Sequence, residues 1–149
     1  MKLSFKGDYA LKIILDLCLY SKKNTVRIKD ISERQDIPLK YLEQIMILLK
    51  SAGYVNSKRG PEGGYSLAKK PEKITLGEII RLTEGHTSPI TCVSTSCYKK
   101  CDDELKCPFR KTWFDVKKAI NEIVDKTTIA DICERAEKMR PEKYANYQI

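Results

Sequence analysis

A single histidine among 149 residues leaves this chain little with which to run general acid–base chemistry, and no paired carboxylates, nucleophile–base pairing or phosphate-cradling glycine loop stands beside it. These gaps argue against an enzyme. No apolar run comes near the ~18 residues that a membrane span needs, because the longest candidates, 11–20 and 45–49, are short or interrupted by charge. The first residues, Met-Lys-Leu-Ser-Phe-Lys-Gly-Asp, lack the apolar core of a signal peptide. A soluble, cytoplasmic protein with no membrane partner is expected. Internal repeats and low-complexity tracts are absent. So are the paired C-x2-C knuckles of a zinc ribbon, although the chain has six cysteines.

What is present suffices for one domain with an appendage: 17.1 kDa, 42% hydrophobic residues and enough length to bury about 70% of the unfolded surface. The net charge of +8 is unevenly placed, with +7 in residues 1–70 and +1 in 71–149. A cationic N-terminal half suits a polyanion.

Periodicity organises that half. Ala10, Ile13, Ile14, Leu17 and Cys18 recur at i, i+3, i+4, i+7 and i+8, which predicts a helix over 6–21 with one apolar stripe. A short segment over 28–35 turns Ile28 and Ile31 inward. Asp36-Ile37-Pro38 is a tight connector, since proline cannot continue a helix but suits the first turn of the next. Leu39, Leu42, Ile45, Met46, Leu49 and Ala52 then share one helix face that Gly53 terminates, with Lys40, Glu43, Gln44 and Ser51 opposite. This is a helix-turn-helix pattern. Two β-prone runs, 54–58 and 65–67, flank Arg59-Gly-Pro-Glu-Gly-Gly64 and read as a hairpin, which behind such a helix pair is a wing.

The second half predicts a short helix over 75–83 stopped by Gly85, then a loop without helical period. Phe109, Trp113, Val116, Ile120 and Ile123 follow at spacings of 4, 3, 4 and 3, a seam along one helix. A helix-turn-helix protein reads two half-sites about one DNA turn apart, so a homodimer through 109–126 is expected. A last amphipathic helix carries Ile129, Ile132, Cys133 and Ala136, and Pro141 ends it. The expected class is mostly α with a small β-hairpin wing: a winged helix-turn-helix domain over 1–85, a cysteine-rich loop over 86–108, a dimerisation helix and C-terminal helix over 109–140, and a loose tail over 141–149.

Cys18 and Cys133 lie on apolar helix faces and read as buried small hydrophobes. Cys92, Cys97, Cys101 and Cys107 fall within one polar loop with the spacing C-x4-C-x3-C-x5-C. In a reducing compartment such a group reads as ligands or reactive thiols rather than disulfides. Thiolates select zinc or iron–sulfur clusters; the latter tolerate wide spacing, and Cys107-Pro108 echoes the Cys-Pro that closes ferredoxin-type runs. An iron–sulfur cluster, zinc as the runner-up, and metal-free thiols all remain open from spacing.

Several stretches together resemble the Rrf-two family of bacterial winged-helix regulators over nearly the whole chain. They are residues 1–11, Ile31-Ser-Glu-Arg-Gln35, Tyr41-Leu-Glu-Gln44, Arg59-Gly-Pro-Glu-Gly-Gly-Tyr65, Thr75-Leu-Gly-Glu-Ile-Ile80 and Thr128-Ile-Ala-Asp-Ile132. The resemblance implies a homodimeric transcriptional repressor that binds double-stranded DNA, with a 2Fe-2S or 4Fe-4S cluster in many members. It implies ligation by Cys92, Cys101 and Cys107, leaving Cys97 as an extra thiol and a possible fourth ligand. Where the IscR branch has a ligating histidine three residues past the last cysteine, this chain has Arg110, which cannot ligate. His86 lies outside the motif and reads as a solvated loop residue. Asp8 occupies the position from which the NsrR branch takes a carboxylate ligand of the partner subunit. The CymR branch implies the alternative of a metal-free regulator of sulfur metabolism, working by thiol oxidation or with a partner enzyme; an iron–sulfur carrier is a third reading. For DNA contact the expected residues are Lys40, Tyr41, Glu43 and Gln44 in the major groove and Arg59 in the minor groove, with Lys58 and Arg27 on phosphates.

Overall fold

In a computed structural model of the chain, residues 2–140 are described; the tail expected over 141–149 lies outside them. The first helix, α1 (Phe5–Tyr20), is capped by the Ser4 hydroxyl, which accepts from the Gly7 amide at 3.2 Å. Its apolar stripe is the centre of the molecule: Ala10, Ile13, Ile14 and Leu17 are fully buried. Around it pack α2 (Ile28–Gln35), α3 (Leu39–Ser51), α4 (Leu76–Glu84) and α6 (Ile129–Met139). Ile31, Leu42, Ile45, Met46 and Leu49 complete the core from the helix pair.

Asp36, at φ 51, makes the left-handed turn between α2 and α3, a conformation that Asp tolerates better than most residues. At the far end of α3, Gly53 at φ 79 redirects the chain into the wing. Strand β1 (Val55–Lys58) pairs antiparallel with β2 (Gly64–Leu67), Val55 opposite Leu67 and Lys58 opposite Gly64. A reciprocal pair of backbone hydrogen bonds, both 2.8 Å, joins Val26 to Tyr65 and fastens the wing to the segment before α2.

Two capping boxes stand back to back below the core. Thr75 and Glu78 open α4, Thr128 and Asp131 open α6, and Leu76–Thr127 and Ile129–Ile74 backbone bonds join the two starts. The observed helix bounds differ from the periodicity reading by about one residue. The short 3-10 turns at Pro71–Lys73 and Thr91–Val93 were not legible in it. His86 is half-buried rather than solvated, with its Nδ1 3.0 Å from the Ser88 carbonyl.

Helix α5 (Arg110–Lys126) is the exception to the packed core. It leans on α4 and the turn at 91–93, and buries only Lys117 and Val124. Phe109, Trp113, Phe114, Val116 and Ile123 remain 36–66% exposed along it. No helix of the described residues is long and apolar enough to cross a membrane.

Candidate nucleic-acid interface and cysteine loop

The helix pair is locked from below by a charge. The Asp16 carboxylate, fully buried on α1, accepts from Arg34 Nε at 3.0 Å, Arg34 Nη2 at 2.8 Å and Gln35 Nε2 at 2.9 Å. This fork-shaped pairing fixes the angle of α2, and with it the start of α3. The Arg34 guanidinium is held above its ordinary range by that bond, and also stacks 4.1 Å over the Tyr20 ring.

On the outer face of α3, Lys40, Glu43 and Gln44 are exposed, as the sequence predicts. Ile47, which sequence reasoning passed over, is 69% exposed and completes an i, i+3, i+4, i+7 set with them. An apolar side chain there has the chemistry to meet a thymine methyl. Tyr41 is half-buried, with its ring edge-on to Tyr9 at 5.6 Å, so the core holds its body. Lys58 and Arg59 are exposed on the wing and Arg27 at the cap of α2. Between wing and α2 lies a cleft of about 510 Å³ lined by Lys23, Thr25, Arg27, Lys58 and Ser66. The Thr25 hydroxyl donates to the Glu62 carbonyl at 2.8 Å and stiffens it. Among the described residues, none of Lys23, Arg27, Lys40, Lys58 or Arg59 has a carboxylate within ion-pairing distance. Sequence reasoning missed Lys23 and Ser66, because only the turn of the chain brings 21–27 against the hairpin.

The cysteine loop has two arms. Residues 87, 88, 93 and 94 are buried, whereas 95–103 are all exposed. Cys92 and Cys107 are half-buried and Cys97 and Cys101 exposed; all six cysteines of the chain are free. Among the described residues no three Cys, His, Asp or Glu side chains converge tightly enough to hold a metal ion. The returning arm is fastened by polar contacts. The Tyr98 hydroxyl donates to Glu104 at 2.6 Å and Arg110 pairs with the same carboxylate at 2.6 Å. The Tyr98 bond first, and Arg110 behind it, hold the Glu104 carboxyl below the usual range. Arg110 Nε is buried without a hydrogen-bond partner, beside a cleft of about 500 Å³ that Cys107 also lines. Asp8 sits in the first turn of α1 and pairs with Lys12 at 2.8 Å.

Cys18 and Cys133 are both 5% exposed, at the α1–α6 contact. Burial, reinforced by a hydrogen bond to Cys133, pushes the Cys18 thiol up from 9.0 to about 12. Iodoacetamide at pH 8 is therefore expected to label the exposed Cys97 and Cys101 and to spare this pair until unfolding. Above pH 9 the unfolded chain releases the Cys18 proton while the folded chain keeps it, so stability falls as pH rises from 9 to 12. The slope from this group reaches about 1.4 kcal/mol per pH unit. Denaturant titrations of Cys18→Ala against the parent chain over that window check it: the variant has the flatter slope.

The helix pair, its wing and its unpaired cations have the shape of a DNA reader, and comparison with known proteins agrees. The sequence profile of the Rrf2 family, described as an iron-dependent transcriptional regulator, matches residues 3–135. The chain belongs to the Rrf2 family. The regulator IscR of Aliivibrio salmonicida is 37% identical over 134 residues, spanning 89% of this chain and 77% of that protein. Among solved structures, CymR, the global cysteine regulator of B. subtilis, matches with a TM-score of 0.79 at 34% identity, covering 91% of this chain and 98% of that one. IscR of T. potens matches at 0.76 with 36% identity, covering 99% and 97%. This Rrf2 protein is thus a DNA-binding transcriptional regulator of the IscR and CymR kind, a class of regulators and not of enzymes.

The family's iron dependence can be tested against the loop by its donor set. Four thiols within 16 residues, two of them half-buried, fit a thiolate-bound centre in kind. Arg110, occupied with Glu104, contributes no ligand.

Proposed function

We propose that the protein is a repressor that binds its operator as a homodimer, reads it with α3 and the wing, and is tuned by an iron–sulfur cluster on the cysteine loop. The observation that carries the DNA contact is the exposed face of α3 beside a wing whose cations lack carboxylate partners. Gln44 pairs with adenine and Glu43 accepts from cytosine, while Lys40 meets guanine or phosphate. Arg59 enters the adjacent minor groove, where narrow A·T-rich sequence attracts a guanidinium. Tyr41, its ring held against Tyr9, stays with Lys40, Glu43 and Gln44 at the major-groove end of α3, while Lys58 and Arg27 meet phosphates. The winged unit of 1–85, the loop of 86–108 and the dimerising segment of 109–140 then divide the work.

Gln44→Ala is expected to relax base preference at one position per half-site, costing about 1 to 3 kcal/mol on the preferred base and little on others. Arg59→Ala is expected to weaken binding most on A·T-rich flanks. Titration of each variant against specific and scrambled duplexes at one salt concentration checks both. Equal losses on the two duplexes contradict the assignments.

In the loop, Cys92, Cys101 and Cys107 are the ligands we assign, with Cys97 or Asp8 of a second copy as the fourth. A cluster supplies redox and ligand-exchange chemistry when bound. The chain's own part is to bring the exposed Cys101 arm toward the half-buried Cys92 and Cys107, which orders 95–103 and biases how the two winged units are held apart. A second reading has one specific support, the spread of the four thiols: a metal-free regulator of cysteine supply acting by thiol chemistry or with a partner enzyme. Anaerobic purification separates them. A coloured protein with iron and sulfide supports the cluster, zinc supports a structural site, and a colourless metal-free chain supports the second reading.

A further inference from the structure

Lys117 breaks the pattern of its helix. It is 8% exposed on a helix that is otherwise buried only at Val124, and a lysine so deeply placed normally has a carboxylate beside it. Here Nζ donates to the Val93 carbonyl at 2.8 Å and lies 4.5 Å from the Phe114 ring centroid. Among the described residues no carboxylate stands within ion-pairing distance of it. A carbonyl dipole and a ring face replace only part of an ammonium's hydration, so the site retains uncompensated positive charge.

The placement of that charge is informative. Val93 directly follows Cys92, and one turn along α5 Asn121 accepts a hydrogen bond from the Thr87 hydroxyl. Lys117 and Asn121 therefore strap the segment 87–94 to α5, while 95–103, with Cys97 and Cys101, stays exposed. The strapped arm carries one thiol, and the helix it is strapped to carries the exposed apolar seam.

We propose that Lys117 is a positioning residue, which fixes the Cys92 arm of the loop to α5 and presents positive charge toward an anionic, thiolate-bound centre held there. An iron–sulfur cluster ligated by thiolates carries net negative charge, so a buried ammonium favours its retention and its reduction. The strap stands on the geometry alone; the charge role rests on the reading of the loop as a cluster site. Through the strap, any rearrangement that moves Cys92 acts directly on α5.

The test compares the full-length parent with Lys117→Met and Lys117→Arg. Methionine fills a similar volume without a charge, and replacing an unpaired buried charge this way preserves folding. In chains without added metal, hydrogen exchange at Ser94, Cys97 and Lys99 is expected to quicken at least tenfold in K117M. Amides of α1 to α4 serve as the unchanged control, and K117R restores the protection. After anaerobic reconstitution with ferrous iron and sulfide, K117M is expected to hold its cluster at a more negative potential and to lose it to a chelator at least tenfold faster, with K117R reversing both. Unchanged exchange in K117M overturns the strap, and an unchanged potential and loss rate overturn the charge role. If the parent chain takes up no iron and sulfide, the cluster reading and the charge role fall together, and exchange alone decides the strap.

Discussion

Changing Trp113 and Ile123 together to glutamate is expected to leave a folded monomer that binds operator DNA about 100- to 10,000-fold more weakly than the parent, the range that linking two binding units supplies through effective concentration. Ile123 is 66% exposed, whereas Trp113 at 37% keeps contacts within the chain, so a modest loss of stability accompanies the loss of association. Four large apolar side chains, Phe109, Trp113, Val116 and Ile123, share one exposed face at the spacing of a helical seam, more than a monomeric surface usually shows uncovered, and an isologous pair of α5 helices would cover that face. Glutamates facing their symmetry mates would repel across that seam. Sedimentation equilibrium reports the association state, thermal melting the integrity of the fold, and anisotropy titration the affinity. A variant that stays dimeric, or a monomer that binds as tightly as the parent, contradicts the assignment of α5.

The second large effect is expected at Asp16→Ala, with a loss of about 3 kcal/mol, at the low end of what breaking a buried pair costs because Arg34 keeps some contact with water. For a domain of this size that is a melting point about 6 to 12 °C lower. The loss has a functional side as well. Arg34 and Gln35 both lie in the last turn of α2, one turn before α3 begins, and both reach the same carboxylate. Freed of it, the helix pair loses its fixed angle, so DNA affinity falls by more than the population of unfolded protein explains. Calorimetry and duplex titration on the same preparation separate the two contributions. A melting point within 2 °C of the parent, a shift that corresponds to no more than about 1 kcal/mol, rejects the role given to this carboxylate.

The sequence made the winged unit legible because each of its elements follows a local rule. The stripe on α1, the Asp36–Pro38 connector, the stop at Gly53 and the glycine-rich turn of the wing can each be read within a window of one element. Asp16 could not be read that way: it sits beside the apolar stripe at a position where a charge looks solvated, and only the arrival of α2 shows it to be buried. Lys117 escaped for the same reason, since nothing local marks that the turn at 91–93 will cover it. Ile47 escaped for the opposite one: an apolar residue with no mark of its own in the sequence, it gains meaning only once its helix turns it outward. In the loop, the spacing identified the thiols, but the arms that carry them are set by contacts made 24 and 34 residues away in sequence, at Lys117–Val93 and Asn121–Thr87, and by the Tyr98–Glu104–Arg110 group.

Hydroxyl-radical footprinting of the intact protein on a bound duplex addresses the central claim most directly, that two copies of α3 and its wing grip DNA in symmetric register. The account predicts two protected half-sites with centres about one helical turn, or a whole multiple of it, apart, flanked by minor-groove protection that Arg59→Ala removes. A single unpaired patch of protection, or protection spread evenly over every duplex offered, would contradict it.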